Sequence, residues 1–284
     1  MPGASDALPH LSGCTVDVTG ASAGIGAAAV RRLAAAGATV VPVGRSPQKT
    51  AAVARELGVE PLTADFTDLD DVRRLAGALL ERCPQIHVLA NNAGGTFPRR
   101  VITRDGHETT FQVNHLAPFL LTALLRERLE ATPGARVITT SSQGNLMGHV
   151  DPHHLESTSG RYRSFRVYGT TKLLNILFTR ELSRRLGGTA TASCFHPGLV
   201  ATEFGRDSPV TGLVYRTPLK RLLAIPPEDG AAPLLALATR PDPETVDGAY
   251  LDRFRPGRAN RQADDVGLAR AVWERSAQMV GVAA

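Results

Sequence analysis

The chain has 284 residues, of which 43% are hydrophobic and 21% charged, ordinary globular usage that excludes disordered, collagenous and coiled-coil classes. The formal net charge of +5 is almost wholly arginine, since Lys49, Lys172 and Lys220 are the only lysines, and arginines scattered or paired as in Arg31-Arg32 and Arg184-Arg185 form no basic stripe, so no nucleic-acid partner is expected. No apolar run approaches the roughly 18–20 residues that cross a bilayer, and the opening MPGASDALPHLSG lacks a signal-peptide layout, so the expectation is a cytoplasmic chain with no membrane partner.

Short β-branched runs alternate with Ala/Leu-rich stretches of helical spacing, the pattern of successive βαβ units. Cys14–Thr19 reads as a strand and residues 24–36 as a helix closed by Gly37, a residue suited to a left-handed cap. Strand Thr39–Gly44, helix Pro47–Leu57, strand Val59–Ala64 and helix Leu69–Arg82 follow, the last capped by Thr67 or Asp68. Ile86–Ala90 is a fourth strand, a long helix runs from Gly106 to about Glu130, and Arg136–Thr140 is a fifth strand. A helix around Tyr168–Leu186 and a strand Ala190–Phe195 complete six repeats.

No linker interrupts the series, so residues 1–284 read as one α/β domain: a single doubly wound parallel sheet of Rossmann type with helices on both faces. The irregular segments 144–166 and 203–227 follow strand ends, where open α/β sheets bind ligands, and are expected to wall a substrate pocket. Phe97, Leu146 and Phe204 are candidates for its apolar lining. Two residues fit this pattern poorly. Asp17 places a carboxylate in a strand buried on both faces, which demands a partner, and Pro42 removes a donor from the second strand, which demands a bulge or an unpaired position.

Between the first strand and first helix lies Thr19-Gly20-Ala21-Ser22-Ala23-Gly24-Ile25-Gly26. Glycines let the chain turn sharply and let a pyrophosphate approach the backbone, and the amides at the helix start supply donors at the positive end of its dipole. Gly20, Ser22, Ala23, Gly24, Ile25 and Gly26 are therefore candidate cofactor ligands. NAD-binding versions of this unit place an acidic residue at the end of the second strand to hold the ribose 2′-hydroxyl. Here that strand ends in Gly44-Arg45-Ser46. A carboxylate would repel a 2′-phosphate, whereas the planar fork of Arg45 pairs with it and Ser46 adds a bond, so NADP(H) is the expected cofactor.

Tyr168 and Lys172 stand four apart on a helix and emerge from one face. A phenol with an ordinary pKa of about 10 shuttles protons poorly at neutral pH, and a nearby ammonium favours its phenolate. Ser141-Ser142 close the fifth strand, where a hydroxyl can hold a substrate carbonyl oxygen.

The segments TGASAGIG (19–26), NNAG (91–94), Asn114 in FQVNHLAPF, the strand end TTSS, YGTTK (168–172) and HPGLVAT (196–202) together resemble the short-chain dehydrogenase/reductase family over nearly the whole chain. QVNHLAPFLLT, KLLNILFTREL and VWERSAQMVG resemble its retinol-dehydrogenase-like branch and that branch's bacterial relatives more than the fatty-acid ketoreductases. The resemblance implies that Tyr168 is the general acid when nicotinamide hydride reduces a carbonyl, and that Lys172 holds the nicotinamide ribose and lowers the tyrosine pKa. It implies that Ser142, a better match than Ser141, orients the substrate, and that Asn114 holds a water extending the proton relay. It further places Asn91, Ala93 and Gly94 beside the adenosine ribose, Asp65 and Phe66 beside adenine, and Pro197, Val200 and Thr202 near the nicotinamide carboxamide and phosphates.

The expected function is an NADP-dependent oxidoreductase acting on a ketone, aldehyde or secondary alcohol, with carbonyl reduction favoured. The alternatives are an NADP(H)-binding regulator without turnover, or a dehydratase or epimerase of the extended relatives. His149, His153 and His154 lack the spacing of a helical zinc pair, so no metal is expected, and Arg161, Arg163 and Arg166 read as a solvated basic loop. Cys14, Cys83 and Cys194 match no zinc or disulfide pattern and read as reduced thiols. Homo-oligomerisation is possible, because family members often pair through the long helices that hold Asn114 and Tyr168.

Overall fold

β1 (Thr15–Thr19), β2 (Thr39–Gly44) and β3 (Leu62–Thr63) alternate with α1 (Gly24–Ala35), α2 (Pro47–Leu57) and α3 (Leu69–Arg82). β4 (Val88–Asn91) leads to α4 (Thr109–Phe111), a π turn (Gln112–Leu116) and α5 (Ala117–Glu130), and β5 (Arg136–Thr140) leads to a 3₁₀ turn (Gln143–Met147) and α6 (Ser164–Leu186). β6 (Thr191–His196), α7 (Pro227–Thr239), β7 (Tyr250–Asp252), β8 (Arg255–Pro256) and α8 (Val266–Val280) complete the order. These elements come from a computed structural model that describes residues 8–200 and 225–284. Thr202, Phe204 and the part of the second wall segment up to residue 224 lie outside the described residues.

The described strands make one sheet in the order β3-β2-β1-β4-β5-β6-β7-β8. Every neighbouring pair is parallel except β7 and β8. The doubly wound sheet is therefore the expected one, but it does not stop at six strands. β7 and β8 are too short for a period-2 pattern to reveal them, and α7 begins where the second wall segment was expected to end. Strand order reverses between β1 and β4, which opens the ligand crevice at the carboxyl edge there. One face of the sheet is covered by α3, α5, α6 and α8 and the other by α1, α2 and α7, each over its own buried aliphatic layer.

Several boundaries move for identifiable reasons. β3 covers only Leu62–Thr63 of the expected Val59–Ala64, because Pro61 has no N–H to give a ladder. The long helix starts at Thr109 rather than Gly106, with the Glu108 carboxylate accepting from the Thr110 and Phe111 amides. It then widens into a π turn in which Ala117 N–H bonds Gln112 O. Pro118 cannot donate to Asn114 O, four residues back, so the α-helical ladder is broken at that point. Asp68, not Thr67, caps α3, accepting from the Asp70 and Asp71 amides.

Both misfits acquire explanations of different kinds. Thr39 N–H donates to Cys14 O and Val43 O accepts from Ala21, so odd positions of β2 face β1. Pro42 therefore faces β3, whose pairing begins only at Val43↔Leu62, and its missing donor costs no ladder bond. Asp17 is fully buried in register with Val41 and Leu89. Its Oδ1 meets the Cys83 thiol at 4.0 Å and its Oδ2 has no partner. Burial raises its pKa to about 7, with Arg82 opposing the rise, so the group keeps its proton through the mildly acidic range.

Candidate active site

The β1–α1 turn folds tightly onto the start of α1, with the Ala21 amide tied to Val43 O. Gly20 takes φ +71°, and a Cβ on Gly26 would lie 2.4 Å from Gly20 O, so the turn folds directly onto the first helical turn. Ala23 caps α1 in an extended conformation with no side-chain bond, and the first turn carries no acid. The free N–H groups and the dipole end of α1 thus fit an anion such as a pyrophosphate. Ser22, Gly24 and Ile25 are half-buried around this seat. Val200 meets the same place from β6, since a Cβ on Gly230 of α7 would contact both Val200 Cγ2 (2.6 Å) and Ile25 Cγ1 (3.2 Å). Pro197 is buried at the start of that loop.

Arg45 is exposed beyond the end of β2, with no hydrogen bond or ion pair among the described residues. Ser46 is the N-cap of α2, its Oγ accepting from Lys49 N at 3.4 Å. Asp65 Oδ1 accepts from Thr67 N and Oγ1, both at 2.9 Å. Two of the residues expected beside adenosine, Phe66 and Asn91, are turned inward. The Phe66 ring is packed in the α3/α5 core, and its carbonyl accepts from Gln112 Nε2 at 3.2 Å. Asn91 is 3% exposed and its Nδ2 donates to Thr122 Oγ1 of α5 at 2.9 Å, which turns the carboxamide inward. Asn92, not Asn91, ties the strand ends together, through Nδ2 to Thr19 O and Oδ1 to Thr140 Oγ1. Ala93 N–H bonds Thr19 Oγ1, and Gly94 is exposed beyond it.

The reactive groups converge on Gly94 and Gly144. Ser142 Oγ accepts from Gly144 N at 3.1 Å, and a Cβ on Gly144 would lie 3.4 Å from that Oγ and 3.3 Å from Tyr168 Cε1. Ser141 points the other way, its hydroxyl donating to Lys172 O at 2.8 Å, as extended alternation dictates. Lys172 is 3% exposed; its Nζ donates to Thr140 O at 2.9 Å and lies 5.5 Å from the Tyr168 ring centroid. Burial lowers its pKa to about 8. Asn114, in the π turn, donates from Nδ2 to Gly95 O (2.8 Å) and Thr171 Oγ1 (3.2 Å) and accepts from Gly95 N (2.8 Å). A Cβ on Gly94 would meet Asn114 Oδ1 at 2.8 Å and Lys172 Nζ at 3.6 Å.

Sequence reasoning missed the braces behind this set. The Asn175 carboxamide shares Thr140 O with Lys172. Gly148 and Gly169 let the 3₁₀ turn touch α6 backbone to backbone, since a Cβ on Gly169 would lie 2.5 Å from Gly144 O and one on Gly148 2.6 Å from Gly169 O. A glycine inside the helical pattern of Tyr168–Leu186 was the available signal. Among the histidines of the first wall, His154 pairs with Asp151 at 3.3 Å, and no group of three or more His, Cys, Asp or Glu able to hold a metal occurs among the described residues.

An anion seat at the switch point of a parallel sheet, with a tyrosine, a buried lysine and a serine gathered at the same edge, defines a dinucleotide-dependent oxidoreductase. The family model for short chain dehydrogenases matches residues 15–210. The chain is 42% identical over 289 residues to a protein of Streptomyces sp. (strain C5) provisionally named daunorubicin C-13 ketoreductase DnrU, covering 99% of this chain and 98% of that one. It is 35% identical over 294 residues to human retinol dehydrogenase 13, covering 99% and 89%. Crystal structures of an uncharacterized Mycobacterium Paratuberculosis protein (33% identity, TM-score 0.81, 99% and 98% covered) and of a Burkholderia cenocepacia short chain dehydrogenase in complex with NADP (26% identity, TM-score 0.65, 86% and 97% covered) share the fold. The chain belongs to the short chain dehydrogenase family, in its retinol-dehydrogenase-like branch.

Proposed function

We propose that the protein reduces a ketone or aldehyde with NADP(H), Tyr168 acting as the proton donor. The observation that carries this reading is the approach of Ser142 Oγ and the Tyr168 ring to one point beside Gly144, with Lys172 Nζ behind them. The α1 amides would hold the pyrophosphate, Arg45 and Ser46 the 2′-phosphate, and Lys172 the nicotinamide ribose; the cofactor supplies hydride when bound. A relative with a ketoreductase name and an NADP-bound family member support the same assignment.

The chain's own groups divide the rest of the work. Ser142 Oγ uses a lone pair on Gly144 N–H, which leaves its proton for the substrate carbonyl oxygen. Tyr168 gives its phenolic proton to that oxygen, and the Lys172 ammonium stabilises the phenolate left behind. Asn114 keeps the Gly94-Gly95 segment against Lys172, and a water held there would continue the relay.

We take the whole chain as one catalytic domain, because one sheet runs from β3 to β8. Trp273 of α8 stacks on Phe178 of α6 (5.8 Å) and meets Phe119 of α5 edge-on (4.8 Å), so the long-helix face is covered and homo-oligomers would form through another face. No described helix is long and apolar enough to cross a membrane, and three free cysteines fit a reducing cytoplasm. The test is NADPH consumption followed by absorbance across a panel of ketones and aldehydes. Consumption abolished by Tyr168→Phe is expected, and no consumption with any carbonyl would overturn the assignment.

A further inference from the structure

The loop after β4 (92–108) and the loop after β5 (141–163) both leave the carboxyl edge of the sheet, from neighbouring strands, and carry Gly94 and Ser142. Segment 156–162 of the second loop has no helix or strand of its own, and side chains of the first loop hold it. Arg100 Nε donates to Ser157 O at 2.8 Å, and one of its terminal nitrogens donates to Ser159 O at 2.7 Å and Gly160 O at 2.8 Å. The guanidinium also stands 5.5 Å from the centroid of the Tyr162 ring. The Tyr162 hydroxyl lies within bonding distance of Glu108 Oε1 (3.0 Å), Thr110 Oγ1 (2.9 Å) and Phe97 O (3.3 Å). Glu156 closes the seam, accepting from Glu108 N at 2.7 Å and meeting His107 Nδ1 at 3.1 Å.

The seam joins the two chain segments that present the reactive groups. Glu108 caps α4, which runs into the π turn holding Asn114, and Tyr162 precedes Tyr168 by less than two helical turns. A planar fork is the side chain that can satisfy several carbonyls of an irregular strand at once; a single ammonium cannot span them.

We propose that Arg100 is a positioning residue: it fastens the 156–162 wall across the crevice and so sets affinity for bulky carbonyl substrates. The inference rests on the carbonyl-reduction reading and adds a residue outside the catalytic set. None of these seam contacts involves Ser142 or Lys172, so a substrate meets the wall only by extending beyond its reacting carbonyl. Size selectivity, rather than turnover, is therefore the property it controls.

The test compares Arg100→Ala, Arg100→Lys and Tyr162→Phe with the wild type, using propanal and 2-acetylnaphthalene at saturating NADPH. Trypsin cleavage after Arg161 and Arg163 provides a readout independent of activity. Arg100→Ala should raise KM for the naphthyl ketone roughly tenfold, the scale of one charge-assisted bond, with kcat and the propanal KM nearly unchanged and tryptic cleavage accelerated. Arg100→Lys should fall between the two. Should Arg100→Ala fail to fold, Tyr162→Phe keeps the ring and should shift the same quantities in the same direction. Equal changes for both substrates, no change in either, or unaltered cleavage overturns the proposal. A wild type that consumes NADPH with neither substrate sinks the carbonyl-reduction reading and the affinity effect with it, while cleavage still reports the fastening on its own.

Discussion

Lys172 Nζ bonds the Thr140 carbonyl at 2.9 Å while standing 5.5 Å from the Tyr168 ring centroid. The last residue of β5 and one turn of α6 thus fix the ammonium beside the phenol before any ligand arrives. Because only one of its three N–H groups is used on Thr140, donors remain for a ribose.

If that phenol is the proton donor, Tyr168→Phe should lower turnover by about 10²–10⁴-fold, the usual share of general acid catalysis. NADPH affinity should stay nearly intact, because the ring and its packing persist. Fluorescence titration with NADPH alongside steady-state rates separates the two effects.

The lysine sets a pH limit on the same step. Its folded pKa of about 8 lies below the ordinary 10.5 because of burial, so the ammonium is lost as pH rises through about 8. Carbonyl reduction should hold its kcat/KM on the acid side and decline above that point. A profile flat to pH 9 would show that the ammonium is not what supports the tyrosine.

How far the site was readable depends on what kind of contact makes it. Tyr168 and Lys172 were legible from helical spacing taken together with the glycine-rich turn upstream and the serine pair closing β5, while the preference for Ser142 over Ser141 came from the family resemblance. The inward turn of Asn91 was not legible, since its partner Thr122 is distant in sequence. The π turn had a signal in Pro118, but a proline in a helical pattern does not say which carbonyl it will free. β7 and β8 were invisible because strands of three and two residues carry no period. Asp17 was visible as an anomaly, while its consequence depended on what surrounds it.

Arg45 should govern the choice between nicotinamide cofactors. Its guanidinium is exposed and uncommitted among the described residues, so its only proposed charge partner is the 2′-phosphate. Arg45→Ala should weaken NADPH binding by about tenfold, or ~1.4 kcal/mol, and leave NADH binding unchanged. Calorimetric titration with both nucleotides measures the ratio, and an unaltered ratio would remove Arg45 from the site.

Gly169 should matter for activity although it bears no functional group. A Cβ there would come within 2.5 Å of Gly144 O, a backbone atom that cannot rotate away. Gly169→Ala should push the 3₁₀ turn off α6 and cost about 1–3 kcal/mol, as overpacking does. Because Ser142 and Gly144 move together, kcat should fall further than the loss of folded protein explains. Rates normalised to the folded fraction from circular dichroism decide this.

Asp17 makes stability depend on pH with a definite sign. Its ordinary pKa of 3.8 rises to about 7 in the fold, because burial between β2 and β4 penalises the charge more than Arg82 offsets it. The folded chain therefore keeps a proton that the unfolded chain releases, and stability drops as pH climbs from about 4 to about 7, then levels off once both states are ionised. Asp17→Asn cannot ionise, so the variant should lose this part of the slope. Its melting temperature should change less between pH 5 and pH 8 than that of the wild type. Parallel melting curves for the two proteins across that range would mean that Asp17 is paired or hydrated in solution and does not carry the buried proton.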